Sequence, residues 1–196
     1  MAAKLSAENN NETLLLDDKN ILGGATIYQN NDCFQIDGTH TNYWLEKEIK
    51  NIKNNKNLTI KTRTSLAAYH GYNYLLAKEN LTDHLSLDER KGKIRQRLWK
   101  IRAKKVIIAT GSIERPLIFN NNDRPGIMLS SAIKKFIDFY GVKTGKEISL
   151  FTNNDSAYET AISLKKSGVN IVSIIDIRDK SSSKIVKEVE LSLIHI

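Results

Sequence analysis

One cysteine, Cys33, among 196 residues excludes a disulfide framework, and no paired Cys/His spacing marks a zinc ribbon. The four histidines, His40, His70, His84 and His195, form no metal-ligand spacing, and no Ser-His-Asp set stands out. No stretch approaches the roughly 18 to 20 consecutive apolar residues of a membrane span. Residues Met1 to Asn11 lack the apolar core of a signal peptide, so the expected location is the cytoplasm. No tandem repeat is present. What remains is an ordinary globular mix, 40% hydrophobic and 27% charged, with room for one domain or two small ones.

The net charge of +8 is the one composition figure that points toward a partner, and nucleic acid is the usual inference from it. The chain is also crowded with Asn, Lys and Ile, as at Asn51-Ile52-Lys53-Asn54-Asn55-Lys56-Asn57. A general bias toward these residues gives the same surplus without nucleic acid, and that explanation ranks first. The cluster Arg90 to Arg97 reads likewise as a solvated loop and a charged strand edge.

Along the chain, residues 1–8 read as helix, followed by the apolar run Thr13-Leu14-Leu15-Leu16 closed by Asp17-Asp18. Such a run fits a strand buried on both faces, the habit of parallel sheets. Gly23-Gly24 marks a tight turn or a close backbone approach to a ligand. Residues 41–54 form an amphipathic helical pattern, and 58–63, 65–77 and 97–103 read as strands. Lys105 to Gly111 is an apolar strand ending in the small residues Ala109-Thr110-Gly111. A loop carries Pro116 and residues 120–126, and a helix follows over 130–140. Strand 147–151, helix 155–166, the capping Gly168 and strand 169–175 compose a β-α-β unit, which implies a parallel sheet. Two units in which a helix meets an acid-tipped strand point to two nucleotide-binding-type domains.

The opening unit is incomplete, because the strand and glycine turn that hold a pyrophosphate would precede Met1. The expectation is a fragment lacking its first strand and phosphate loop. Asp17 and Asp18 occupy the strand end where an acid accepts hydrogen bonds from adenosine ribose hydroxyls, a role favoured over a merely solvated acid. Lys19 lies beside the adenosine or simply in solvent. Thr110 and Gly111 let the backbone pass close to a cofactor, although any buried strand can end in Thr-Gly. Glu114 and Arg115 form either an internal pair or a ligand contact. The second unit has no G-x-G-x-x-G; Thr152-Asn153-Asn154-Asp155-Ser156-Ala157 stands there, with Asp155 as the helix cap, and a degenerate scaffold is expected. Asp176 is then structural. Cys33, with no second thiol, is a buried or incidental residue.

Several segments together resemble the alpha subunit of heterotetrameric sarcosine oxidase: Leu14 to Asp18, Thr82-Asp83-His84-Leu85, Arg95 to Lys104, Ala109-Thr110-Gly111 with Glu114-Arg115-Pro116, Asn122 to Leu129, and Phe151 to Tyr158. The resemblance runs to about Arg178. It implies an α/β chain with parts of two dinucleotide-binding domains, Rossmann-type and glutathione-reductase-like, with parallel sheets. Residues 1–126 would be a first FAD/NAD(P)-binding domain, 127–190 the start of a second, and 191–196 a tail outside the family pattern.

The resemblance also implies an enzyme that oxidatively demethylates sarcosine to glycine, with tetrahydrofolate as one-carbon acceptor and hydrogen peroxide as product. NAD would sit in this part, with FAD possible and FMN in the assembled complex, beside beta, gamma and delta subunits. Carried over by motif, Asp17, Asp18 and Lys19 meet the adenosine near Gly24 and Ala25, Leu66 neighbours the adenine, and Thr110 and Gly111 line the pyrophosphate. Ala25 departs from the hydroxyl residue expected there. No catalytic residue falls in this stretch, and without a glycine loop the isolated chain is expected to bind NAD poorly. The rivals are a related FAD-dependent amine or opine dehydrogenase subunit and, remotely, a basic nucleic-acid-binding module.

Overall fold

A computed structural model describes residues 1–28, 35–179 and 183–193; Cys33 and His195 lie outside that range. The chain divides into two compact units, one built mainly from residues before Gly111 and the other from Gly111 onward.

In the first unit α1 (Ala2–Glu8) leads into β1 (Thr13–Leu16). A short hairpin, β2 (Gln35–Ile36) and β3 (Thr39–His40), precedes α2 (Thr41–Lys53) and β4 (Leu58–Lys61). β1 and β4 pair in parallel, with Thr13 opposite Leu58 and Leu16 opposite Lys61. A parallel pair needs a crossover, and α2 lies on it. Lys4 on α1 binds Glu48 on α2 at 2.8 Å, and Ala7 is buried at 1% exposure. The apolar run of β1 is only half-buried, and Leu14 is exposed. Burial on both faces requires cover on both, and β1 has one strand neighbour among the described residues.

The rest of this unit is an antiparallel meander of β5 (Thr64–His70), β6 (Tyr74–Asn80) and β7 (Gln96–Arg102), with a register shift between Leu66 and Ala68. The single strand expected over 65–77 is thus two, because Tyr72 and Asn73 take left-handed backbone angles and reverse the chain. A second expectation is corrected at Lys105 to Gly111, which pairs with no described strand. Its Ile107 and Ile108 are 68% and 61% exposed. An extended segment becomes sheet only beside a strand with free N–H and C=O groups, and hydrophobicity alone does not supply one.

The second unit contains α3 (Ser130–Asp138), β8 (Glu147–Thr152), α4 (Ser156–Lys166), β9 (Asn170–Asp176) and α5 (Lys184–Leu193). β8 and β9 pair in parallel around α4, as the sequence predicts. Gly168 ends α4 in the left-handed region at φ 70°, and the Val169 amide returns to the Leu164 carbonyl at 3.0 Å. A buried apolar cluster lies here: Ile133 and Ile137 of α3, Ala161 and Leu164 of α4, Ile171 of β9, and Val186 and Val189 of α5. The two parallel pairs give the α/β class and parallel sheets expected from the sequence.

Candidate functional site

The carboxyl end of β1 is built by backbone hydrogen bonds that extend the β1–β4 pairing beyond the last strand residue. The Asp17 amide donates to the Lys61 carbonyl at 3.0 Å, and the Asp17 carbonyl accepts from the Thr64 amide at 2.8 Å. Asp17 also closes its own loop, its Oδ1 accepting from the Lys19 amide at 2.9 Å. An aspartate does this readily because its short side chain reaches an amide two residues on. Asp18 projects outward, and its Oδ2 meets Lys19 Nζ at 2.8 Å with both side chains more than half exposed.

Arg63 joins this strand tip to the meander. Its amide donates to the Lys19 carbonyl at 2.8 Å, and its carbonyl accepts from the Asn80 amide at 2.9 Å. A left-handed backbone, φ 52°, turns those two groups toward different loops. The result is an open cleft of about 280 Å³ lined by Asp18, Arg63, Asn80, Asp83 and His84. Asp83 is pinned by the Arg95 guanidinium and, at 2.8 Å, by the Gln96 amide. The Arg95 bond first and the Gln96 bond second hold the Asp83 carboxyl below the usual range, so it is charged at neutral pH. Among the described residues, the Arg63 guanidinium and the His84 ring make no hydrogen bond.

Asp17, Asp18 and Lys19 therefore stand together at a parallel strand tip, the position where α/β folds receive a nucleotide sugar. Gly24 and Ala25 are exposed at the start of a short 3-10 turn, Gly24–Tyr28. The preceding Gly23 has a packing role: a Cβ there would lie 2.7 Å from Leu45 Cδ2 of α2. Leu66 is 42% exposed on β5. Thr110 and Gly111 are exposed and lie in no strand. Sequence reasoning missed Arg63, Asn80, Asp83 and His84 as neighbours of Asp18. Thr82-Asp83-His84-Leu85 stood out as a motif, but nothing in it indicated the strand tip.

At the corresponding strand tip of the second unit an internal ion cluster forms. Arg178 Nη2 lies 2.6 Å from Asp176 Oδ2 and 2.8 Å from Asp155 Oδ1, and the Tyr158 hydroxyl donates to Asp176 at 3.0 Å. The Arg178 hydrogen bonds, more than any other contact, draw the Asp176 carboxyl down to about 2. Asp155 does not cap α4 with its side chain, contrary to expectation, because that carboxylate is engaged with Arg178. Glu114 and Arg115 form no pair either; Glu114 accepts from the Ser130 and Ser131 amides at the start of α3.

No protein-family model matches the chain. It is 36% identical over 182 residues to sarcosine oxidase subunit alpha of Corynebacterium sp. strain P-1, and 35% identical to that of strain U-96. The corresponding subunit of Rhizobium meliloti is 32% identical over 178 residues. These alignments cover 91 to 93% of this chain, which spans 18% of the length of the curated relatives. The resemblance read from the motifs is thereby borne out along nearly the whole chain. The crystal structure of L-proline dehydrogenase from P. horikoshii shares the fold: TM-score 0.68 at 22% identity, over 93% of this chain and 34% of that one.

Proposed function

We propose that this chain supplies the adenosine-binding strand tip of an oxidoreductase related to sarcosine oxidase subunit alpha. The observation that carries the reading is the convergence of Asp17 and Asp18 at the carboxyl end of a parallel strand, within a chain similar over 93% of its length to that subunit. The residues fit a ribose. Asp17 keeps one carboxylate oxygen outside its own loop, and Asp18 is exposed, so a vicinal diol finds two acceptors. The pyrophosphate is less well provided for, since G-x-G-x-x-G occurs nowhere in the 196 residues.

In this reading NAD is the dinucleotide, with FAD as the alternative occupant. Lys19, Gly24, Ala25 and Leu66 border the adenosine, and Thr110 and Gly111 the pyrophosphate. Once bound, the nicotinamide or flavin supplies hydride acceptance, whereas Asp17 and Asp18 only orient the sugar. The parent activity would be oxidative demethylation of sarcosine, passing the one-carbon unit to tetrahydrofolate with hydrogen peroxide as product. FMN and beta, gamma and delta subunits would belong to that assembly. A related amine or opine dehydrogenase subunit is the second reading, favoured by the fold shared with L-proline dehydrogenase.

The test is calorimetric NAD binding by the protein as its whole gene encodes it, alongside the Asp17→Asn, Asp18→Asn double variant. Loss of two charge-assisted hydrogen bonds of about 1.5 to 3 kcal/mol each predicts binding weakened about 100-fold or more. Unchanged affinity in the double variant would overturn the reading.

A further inference from the structure

The outer face of the β5–β6–β7 meander carries charge of one sign. Strand register fixes which residues share it: Tyr74 stands opposite Arg102, Leu76 opposite Lys100, and Lys78 opposite Leu98. Alternation sends the intervening Leu75 and Ala77 to the other face, where both are buried. Lys78, Leu98, Lys100 and Arg102 are exposed, and His70, opposite Tyr74 on β5, is exposed beside them.

No acid of the three strands shares this face. Glu79 projects to the core side, where the Trp99 indole, Lys61 and Arg97 hold it. Residues 65–78 and 98–105 contain Lys78, Lys100, Arg102, Lys104 and Lys105 and no Asp or Glu, in a chain whose whole net charge is +8. The basic surplus is thus concentrated on this arm. Among the described residues none of Lys78, Lys100 and Arg102 makes an ion pair; Arg102 lies over the Tyr74 ring at 5.2 Å. A merely solvated sheet face mixes both signs, because like charges side by side repel.

At the end of this face the chain reverses through Tyr72 and Asn73, at φ 57° and 53°. Asparagine tolerates the left-handed region, whereas a bulky tyrosine takes it at a cost. Tyr72 is 92% exposed, so no packing within this chain offsets that cost. An exposed aromatic in a strained turn beside an arginine has the composition of a protein-binding hot spot.

We infer that this face docks an acidic patch of a partner protein, with Tyr72 as the anchor and Lys78, Lys100 and Arg102 as the charged ground. The inference rests on the reading above, which makes the chain one subunit of an assembly, and adds the surface through which it is held. Nucleic acid fits less well: the Tyr74 ring is flanked by Arg102 and His70, at 5.2 and 5.9 Å, and is not free to stack on a base.

The test takes the gene-encoded protein together with the proteins that purify with it. Carbodiimide couples a lysine ammonium to a carboxylate in contact with it, so mapped cross-links should join Lys78 or Lys100 to Asp or Glu of another chain. The variant Lys78→Glu, Lys100→Glu, Arg102→Glu should weaken that association about tenfold or more, and added salt should weaken the wild type likewise. Tyr72→Asn should also weaken it about tenfold while its melting temperature stays level or rises, a combination that a residue serving only the fold would not give. Cross-links confined to this chain, or a charge variant that keeps the wild-type affinity for its partner, would overturn the inference. So would a protein that purifies alone, or one that binds oligothymidylate through this face more tightly than any protein. The charge variant should bind NAD within about twofold of wild type, so the Asp17→Asn, Asp18→Asn test of the ribose reading stands or fails separately.

Discussion

Glu114 caps helix α3 from a distance, its Oε2 accepting from the Ser131 amide at 2.8 Å across 17 residues of sequence. Its Oε1 takes the Ser130 amide and hydroxyl at 3.2 and 3.0 Å. The first turn of a helix has N–H groups without internal partners and a positive dipole end, and a carboxylate answers both. Burial works against the charge, but the serine bonds outweigh it and hold the Glu114 carboxyl below its usual range.

The first prediction follows from that cap. Glu114→Ala should cost about 1 to 2 kcal/mol, or a melting temperature lower by about 5 °C or more. Because the folded-state pKa is depressed, the contribution is complete above the unfolded value near 4.3 and fades as pH falls through the folded one. Thermal melts between pH 3 and 7 should therefore converge for wild type and variant at the acid end.

A buried ion pair within α3 is tied to α4 through Ser163. Lys134 is 6% exposed, its Nζ 2.6 Å from Asp138 Oδ2 and 3.1 Å from Ser163 Oγ. Removing one partner strands the other charge, so Lys134→Met should destabilise by about 3 to 5 kcal/mol. The double variant Lys134→Met, Asp138→Leu should recover most of that loss, because an apolar pair needs no compensating charge. Denaturant melts of the set would show it, and a double variant as unstable as the single would refute the argument.

The Arg178 cluster makes a prediction about charge. In Arg178→Ala the Asp176 carboxyl should rise from about 2 toward the ordinary value near 3.9, followed by carboxyl carbon NMR. In the wild type the stabilisation from this bridge is complete above pH 3.9 or so and is lost as pH falls through about 2. The same variant should leave NAD affinity unchanged within about twofold, since the ligand is assigned to the other strand tip.

Gly23 tests whether the Gly23-Gly24 pair serves packing or ligand. Its φ is 127°, and a Cβ would fall 2.7 Å from Leu45 Cδ2 and 2.9 Å from Ile27 Cγ1. Gly23→Ala should cost about 1 to 3 kcal/mol. Adding Leu45→Ala relieves the Leu45 contact but neither the Ile27 contact nor the backbone, so the pair of changes should restore only part of the melting temperature. Full restoration would show that neither the backbone angle nor the Ile27 contact costs anything.

Local pattern was enough where a residue's role depends on its near neighbours. Thr13 to Leu16 reads as a strand and Asp17-Asp18 as its acidic tip, because both follow from a short apolar run and the residues that end it. The α4 boundaries and the Gly168 cap were legible for the same reason. Lys105 to Gly111 was not, because strand formation depends on a neighbour that no local pattern reports.

The amino-acid order by itself determined the α/β class, the parallel β8–β9 unit and the acidic end of β1, since periodicity, caps and strand ends act over a few residues. Only the tertiary structure decided that Arg63 bridges Lys19 and Asn80, that Arg178 folds back on Asp155, and that Glu114 serves α3 rather than Arg115. Each of these is a contact between loops remote in sequence, brought together by strand register and helix packing. Hydrogen bonds act over about 3 Å, and nothing in a linear chain encodes that distance until the backbone has closed.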